Sequence, residues 1–121
     1  MDEREYQKTR LIRLMRDNHM GKDRAAHKRE LLREFYSVRV AENESYNNLF
    51  DREIRGLIEE INQGGGLICS SAADGYWWAE SLVDGLPAAE KNKSRALTQL
   101  GNAERLVQNL KREFGGQLPL I

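Results

Sequence analysis

The chain has few of the residues that build disulfide frameworks, metal sites and active sites. Of its 121 residues one is cysteine, Cys69, and two are histidine, His19 and His27. A single cysteine excludes an internal disulfide and agrees with a reducing compartment, so we expect Cys69 to pack as a small apolar side chain. Neither histidine lies in a recognisable catalytic motif, and a structural zinc site needs about four closely spaced ligands. The sequence therefore predicts no enzyme activity, no metal and no cofactor.

Long apolar runs are also missing. No run approaches the roughly 20 residues that span a bilayer, and residues 1–10 contain no apolar signal region. We therefore expect a cytoplasmic protein with no membrane partner. Because 40% of the residues are hydrophobic and 31% are charged, we expect a folded globular chain rather than a disordered one.

The zero net charge conceals an uneven distribution. Residues 1–40 hold eleven basic and seven acidic side chains, residues 41–86 hold two and nine, and residues 87–121 hold six and three. This order of basic, acidic and basic segments bears on any nucleic-acid interface, because phosphate affinity comes from clustered Lys and Arg.

Helical spacing of apolar residues predicts two helices in the first segment. One runs from Tyr6 to about Asn18, with Gly21 as its C-terminal cap. The other runs from about Lys28 to Tyr36, with His27 at the capping position. The intervening "KDRAA" is predicted to be short and weakly extended, and residues 37–48 to form a loop.

Two further helices are predicted in the rest of the chain. The third covers residues 47–63, capped by Asn48 or Asp51 and ended by a triple glycine, with one apolar face made of Phe50, Ile54, Leu57, Ile58 and Ile61. The fourth begins after Pro87 and runs to about Phe114. Its apolar stripe consists of Leu97, Leu100, Ala103, Val107, Leu110 and Phe114. Such a stripe needs a partner, either the rest of the domain or a second copy in a homodimer.

Between these helices the apolar period becomes strand-like. The stretch "LICSSAADGYWWAES", residues 67–81, predicts a hairpin with strands at Leu67–Ser71 and Tyr76–Glu80. The pair Asp74-Gly75 tolerates positive φ at its tip.

The sequences of the third helix and the hairpin resemble those of a known protein family. "DREIRGLIEEI" followed by "LICSSAADGYWWAE" resembles the third helix and wing of small winged helix-turn-helix proteins of phages, prophages and their bacterial hosts. In these proteins an Ile-Cys-Ser triplet opens the wing and a Gly-Tyr pair begins its return strand. The resemblance covers residues 8–80 and implies a winged helix-turn-helix domain. With the long C-terminal helix predicted from apolar spacing, the expected fold is mainly α with a small β-hairpin (α+β). We expect the winged domain at residues 1–83, the C-terminal helix at 84–114 and a flexible tail at 115–121.

The family role implies that the third helix is presented to a DNA major groove. Its N-terminal, outward positions would be Asn47, Asn48, Asp51, Arg52 and Arg55. Because Asn suits adenine and Arg suits guanine, the base readers would be Asn48, Arg52 and Arg55. Phosphate contacts would come from Lys22, Arg24, Lys28, Arg29 and Arg33 around the second helix.

The predicted wing departs from the family pattern. DNA-binding wings usually carry Lys or Arg at the tip, whereas this tip is Ala72, Ala73 and Asp74. Arg55 also has Asp51 four residues before it and Glu59 four residues after it, so Arg52 and Arg55 can equally be partners in intrahelical ion pairs.

Two further features suggest protein partners. Trp77 and Trp78 point to opposite faces of a strand, and the family analogy places Tyr76 and Trp78 against the helices. Trp77 is then covered either by the C-terminal helix or by a partner protein. The ending "QLPLI" resembles the peptide by which bacterial replication proteins bind the sliding clamp, with Gln117, Leu118, Leu120 and Ile121 in the contact roles; the alternative is a tail that folds back on the domain.

The sequence thus predicts a non-enzymatic winged-helix protein that binds double-stranded DNA in replication or transcription regulation. The alternative is a protein-interaction module on the same scaffold, whose acidic third helix and wing form the docking surface.

Overall fold

The computed structural model describes residues 2–37 and 49–117, with backbone only at Gln117. The described chain is mostly helical with one two-stranded antiparallel sheet, which confirms the expected α+β class. The elements are α1 (Glu3–Asn18), a 3₁₀ turn (Lys22–Arg24), α2 (Lys28–Tyr36), α3 (Leu49–Gln63), β1 (Ile68–Ser71), β2 (Gly75–Trp78), α4 (Leu82–Phe114) and a second 3₁₀ turn (Gly115–Gln117). No helix among these residues is long and apolar enough to cross a membrane.

Helix α1 begins three residues earlier than predicted. The side chain of Asp2 caps it by accepting a hydrogen bond of 2.8 Å from the amide of Glu5. The C-terminal cap is His19 rather than Gly21. Gly21 instead adopts φ +86° and donates its amide hydrogen to the Trp78 carbonyl oxygen, so it joins the turn to the hairpin.

One hydrophobic core joins α1, α2, α3 and the hairpin. Its members are Leu11, Met15, Ala26, Leu31, Leu32, Phe35, Ile54, Leu57, Ile61 and Ile68. Helix α2 has the predicted bounds, and three residues of the predicted α3 face are buried. The other two differ: Ile58 is half-buried, and Phe50 is 40% exposed with its ring against Tyr36.

The hairpin pairs β1 with β2 in the register Ile68–Trp78, Cys69–Trp77, Ser70–Tyr76 and Ser71–Gly75. Two short extended pieces add to it, because Met20 bridges to Trp78 and Ala26 bridges to Tyr76. The predicted extended character of "KDRAA" is thus confirmed at Ala26, whereas Lys22–Arg24 forms a 3₁₀ turn. Gly75 lies at φ +95° so close to Ala26 that a Cβ atom there would overlap the Ala26 carbonyl group.

Helix α4 begins at Leu82, not after Pro87. Ser81 caps it, because its hydroxyl accepts a hydrogen bond of 3.2 Å from the Asp84 amide and its carbonyl accepts one from the Gly85 amide. Pro87 is therefore the sixth helical residue. The chain divides into two compact units, Met1–Ala89 and Glu90–Ile121, so the division falls within α4.

Candidate nucleic-acid interface

The candidate interface centres on a buried carboxylate near the start of α3. Asp51 is completely buried, although its position was predicted to face outward. Residue 51 lies three positions before Ile54, so both side chains fall on the face of α3 that packs into the core. Burying a carboxylate is costly unless cations neutralise it. Two of the predicted DNA-binding residues do so.

Lys28 and Arg55 neutralise Asp51 from two different helices. The Lys28 Nζ lies 3.3 Å from Asp51 Oδ1, and an Arg55 guanidinium nitrogen lies 3.2 Å from Oδ2. The ion-pair interpretation of Arg55 is therefore confirmed. The side chain of Lys28 remains 26% exposed and that of Arg55 51% exposed, while that of Asp51 is inaccessible. The group thus presents cations to solvent and keeps its single negative charge inside.

Arg52 lies beside this group on the exposed side of α3. Residues 52 and 55 are three positions apart on one helix, so their side chains are neighbours on its surface. We call Lys28, Arg52 and Arg55 the basic cluster. Asn48, the third predicted base reader, lies outside the described residues.

The other predicted phosphate contacts lie in the 3₁₀ turn before α2 and on α2 itself. Lys22 lies at the hairpin tip, with Nζ 3.7 Å from Asp74 Oδ2. Arg24 and Arg33 are exposed, whereas Arg29 is half-buried with an inaccessible Nε. The hairpin tip itself is fixed by Ser71, whose hydroxyl donates to Asp74 Oδ2 and accepts from the Asp74 amide. The tip thus offers a carboxylate and one lysine already paired with it.

Acidic side chains also line the far end of α3. Glu60 pairs with Arg4 of α1, and this pair holds the pKa of the Glu60 carboxyl below its usual value. Lys8 adds a weaker contact to Glu60 at 3.8 Å. The exposed Glu59 lies one turn beyond Arg55. Among the residues of α3 itself, the two basic side chains, Arg52 and Arg55, both lie in the N-terminal half, where Glu53 is also exposed.

The structure contradicts the prediction that Trp77 contacts a partner protein. Its side chain is completely buried, so it offers no surface to a partner. It lies on the hairpin face opposite to Tyr76 and Trp78, which pack against the helical core as predicted. The first turn of α4 covers that face: Gly85 lies so close that a Cβ atom there would be 3.0 Å from Cys69 Sγ, and Cys69 is the residue paired with Trp77 across the hairpin. Intramolecular packing, the alternative left open by the sequence, is confirmed.

The remaining predicted interaction residues are at the C-terminus. Gln117 belongs by its backbone to the terminal 3₁₀ turn, and Leu118, Leu120 and Ile121 lie outside the described residues. The sliding-clamp hypothesis therefore stays a prediction.

An apolar groove between the hairpin and the start of α4 was not predicted. It has a volume of about 500 Å³, and Leu67, Leu82 and Leu86 at its walls are 52%, 72% and 43% exposed. The Cys69 thiol also lines it. The residues that α4 contributes to the groove, among them Leu82 and Leu86, lie before Pro87, and the predicted start of α4 after Pro87 left them out of the helix.

The structure gives the two histidines and the cysteine no shared site. His19 is buried, with Nδ1 2.7 Å from the Arg24 carbonyl oxygen and Nε2 2.8 Å from Glu34 Oε1, so it ties α1 to the turn and to α2. Burial, reinforced by the nearby Asp84 charge, raises the pKa of the Cys69 thiol, which disfavours the nucleophilic thiolate. Within residues 2–37 and 49–117, no three His, Cys, Asp or Glu side chains are grouped to hold a metal ion.

Comparison with known proteins adds no further assignment. No family model, no curated protein and no solved structure matches the chain.

Proposed function

We propose that the unit Met1–Ala89 is a winged helix-turn-helix domain that binds duplex DNA through the N-terminal half of α3. The order of three helices followed by a hairpin, with short extended pieces at Met20 and Ala26 beside it, supports this fold. The resemblance of the α3 and hairpin sequences to phage and prophage proteins supports it independently.

The basic cluster is the observation that carries the proposal. The buried Asp51 carboxylate holds the side chains of Lys28 and Arg55 in position, and both cations remain partly exposed to solvent. A cation held by a buried carboxylate loses less side-chain entropy on meeting a phosphate or a base edge than a freely rotating one. Arg52 extends the cluster along the same helix. In this proposal Arg52 and Arg55 read bases, and Lys28 contacts a phosphate.

The hairpin takes a different part in the proposal. With Asp74 at its tip and Lys22 paired to it, the wing supplies little attraction for phosphate. We therefore propose that affinity comes from α3 and α2, and that the wing supports α3 by packing against the core.

A fluorescence anisotropy titration of a labelled generic duplex at two salt concentrations tests DNA binding. We expect affinity in the micromolar range or better that falls steeply as salt rises, because binding releases counterions from several phosphates. Absence of binding by the wild-type protein at low salt would reject the function.

Variants locate the interface. Arg52→Ala should weaken binding to the generic duplex severalfold and make it less dependent on salt, because the interface loses one cation. The matched control is Arg105→Ala on α4, because Arg105 is also exposed and its hydrogen bond within the described part of the chain goes to Asn102 of its own helix. Equal weakening in the two variants would show that α3 is not the interface.

A protein-interaction module is the second candidate, and the apolar groove is the observation that favours it. Exposed leucines at a concave surface are typical of protein contacts.

In the proposed form with the sliding clamp, residues 117–121 make the contact. Full-length protein and a version ending at Gly116 should then differ in a clamp pull-down, and equal retention would reject clamp docking.

A further inference from the structure

The unit Glu90–Ile121 presents an uncovered apolar face on α4. Leu100, Val107, Leu110 and Phe114 are between 48% and 55% exposed, and Ala96 and Ala103 on the same face are also exposed. Water-exposed leucine and phenylalanine in such a row are unfavourable for a solitary helix.

The spacing of this face is that of a two-stranded coiled coil. Alternating steps of three and four residues connect Lys93, Ala96, Leu100, Ala103, Val107, Leu110 and Phe114. In heptad terms, Leu100, Val107 and Phe114 occupy a, and Ala96, Ala103 and Leu110 occupy d. The outer b, c and f positions from residue 91 to residue 112 carry no large apolar side chain. Leu97 at e and Leu106 at g, 58% and 57% exposed, flank the seam on its two sides. One seam, rather than burial on all sides, fits this helix.

Side-chain size distinguishes the two possible directions of pairing. A parallel dimer places each residue against its own copy, so it stacks Ala96 and Ala103 on themselves and brings Lys93 against the partner's Lys93. Alanine layers leave gaps, and facing lysines repel each other. An antiparallel dimer pairs a positions with d positions. Leu100 then packs against the partner's Ala103, and Val107 against the partner's Ala96.

Charge fixes the register of the antiparallel pair. In the alignment just given, Glu90 lies beside the partner's Lys111, and the two-fold axis repeats this attractive contact. A shift by one heptad in one direction brings Glu90 beside the partner's Glu104; a shift in the other direction brings Glu104 beside the partner's Glu104. Both shifts therefore replace attraction by repulsion.

We propose that two copies of this chain associate through an antiparallel coiled coil of α4, centred between residues 101 and 102. The Lys93 stem lies along the partner's Leu110 with its ammonium group in solvent. This pairing does not depend on the proposed DNA binding, and it defines both the direction and the register of the homodimer.

Sedimentation velocity at micromolar concentration tests the association. We expect a dimer for the wild-type chain and a monomer for Leu100→Glu, which places a charge in the seam. Asn102→Glu is the matched control, because it adds the same side chain at an exposed outer position of the same helix and should remain dimeric. A wild-type monomer, or a Leu100→Glu dimer, would overturn the proposal.

Oxidative crosslinking tests direction and register. In a Cys69→Ser background, Ala96→Cys and Val107→Cys chains are oxidised separately and as an equimolar mixture. The proposed register predicts a disulfide between the two different chains in the mixture and almost none in either chain alone. Efficient self-crosslinking of the Val107→Cys chain would indicate a parallel dimer, and no crosslink in the mixture would reject the register.

Discussion

The ammonium group of Lys28 on α2 lies 3.3 Å from the completely buried carboxylate of Asp51 on α3. This contact joins two helices that the chain separates by the segment at residues 37–48. Its importance follows from burial: a carboxylate shielded from water depends on its cations for solvation. Arg55 shares that role, but only from within α3.

Lys28→Met should therefore destabilise the fold while keeping most of the aliphatic stem. We expect the free energy of unfolding to fall by about 2 kcal/mol, because a buried charge loses one of its partners. Urea unfolding measures it. Lys91→Met on the exposed side of α4 is the control and should change stability by less than about 0.5 kcal/mol. A similar small change for Lys28→Met would mean that the buried Asp51 carboxylate does not depend on Lys28 for its stabilisation.

Gly75→Ala should disrupt the hairpin and its contact with Ala26. The substitution requires φ near +95° and places a methyl group on the Ala26 carbonyl group, so we expect a loss of about 3 kcal/mol or failure to fold. Gly65→Ala separates the two causes, because Gly65 has φ +101° but no atom within 4 Å of the added Cβ. It should cost only about 1 kcal/mol of backbone strain. Equal losses of stability in the two variants would show that the close approach to Ala26 does not contribute to the effect of Gly75→Ala.

Local patterns in the sequence predicted much of this fold. Helix α2 has the predicted bounds, and Gly64 ends α3 at the predicted place, because apolar period and glycine act within a few residues. The hairpin lies where it is predicted, but Gly75 pairs with Ser71 inside β2 instead of forming the tip with Asp74. Strand β2 is therefore Gly75–Trp78 rather than Tyr76–Glu80, and β1 begins at Ile68 rather than Leu67. The apolar period alone predicts the core face of α3, apart from Phe50, which is exposed, and Ile58, which is half-buried.

The misses come from contacts between distant residues. The family analogy places Asp51 among the outward positions of α3, and no local pattern indicates its contact with Lys28, 23 positions earlier in the chain. The start of α4 was misplaced because Pro87 is a strong local signal for a helix start. A cap at Ser81, with Asp84 three residues later, was the competing signal. The apolar groove depends on this misplaced start and was therefore missed as well.

Trp77→Ala should be among the most destabilising substitutions in the unit Met1–Ala89. The wild-type side chain is completely buried between the hairpin and the first turn of α4, so its removal leaves a large cavity and should cost about 3–5 kcal/mol. Thermal unfolding measures the loss. Trp78→Ala should cost less, because Trp78 is only partly buried. A Trp77→Ala protein as stable as the wild type would contradict the packing role of Trp77 and favour a role at the surface.

Stability in acid should depend on Asp84, which links three parts of the chain. Its carboxylate accepts hydrogen bonds of 3.0 Å from the Glu80 amide and 2.9 Å from the Lys22 amide, and these hold the pKa of Asp84 below its usual 3.8. As the pH falls, the unfolded chain therefore takes up the proton first. The contribution is complete above the unfolded-state pKa and disappears as the pH falls through the lower folded-state pKa.

Asp84→Asn should remove this dependence. We expect the variant to be less stable than the wild type at neutral pH and to lose less stability between about pH 6 and about pH 3, measured as the urea midpoint at each pH. Glu60 titrates in the same window through its pair with Arg4, so part of the wild-type slope remains. Glu104→Gln on exposed α4 is the control and should keep the full slope. If Asp84→Asn also keeps the full slope, the two amide contacts do not stabilise the charged carboxylate.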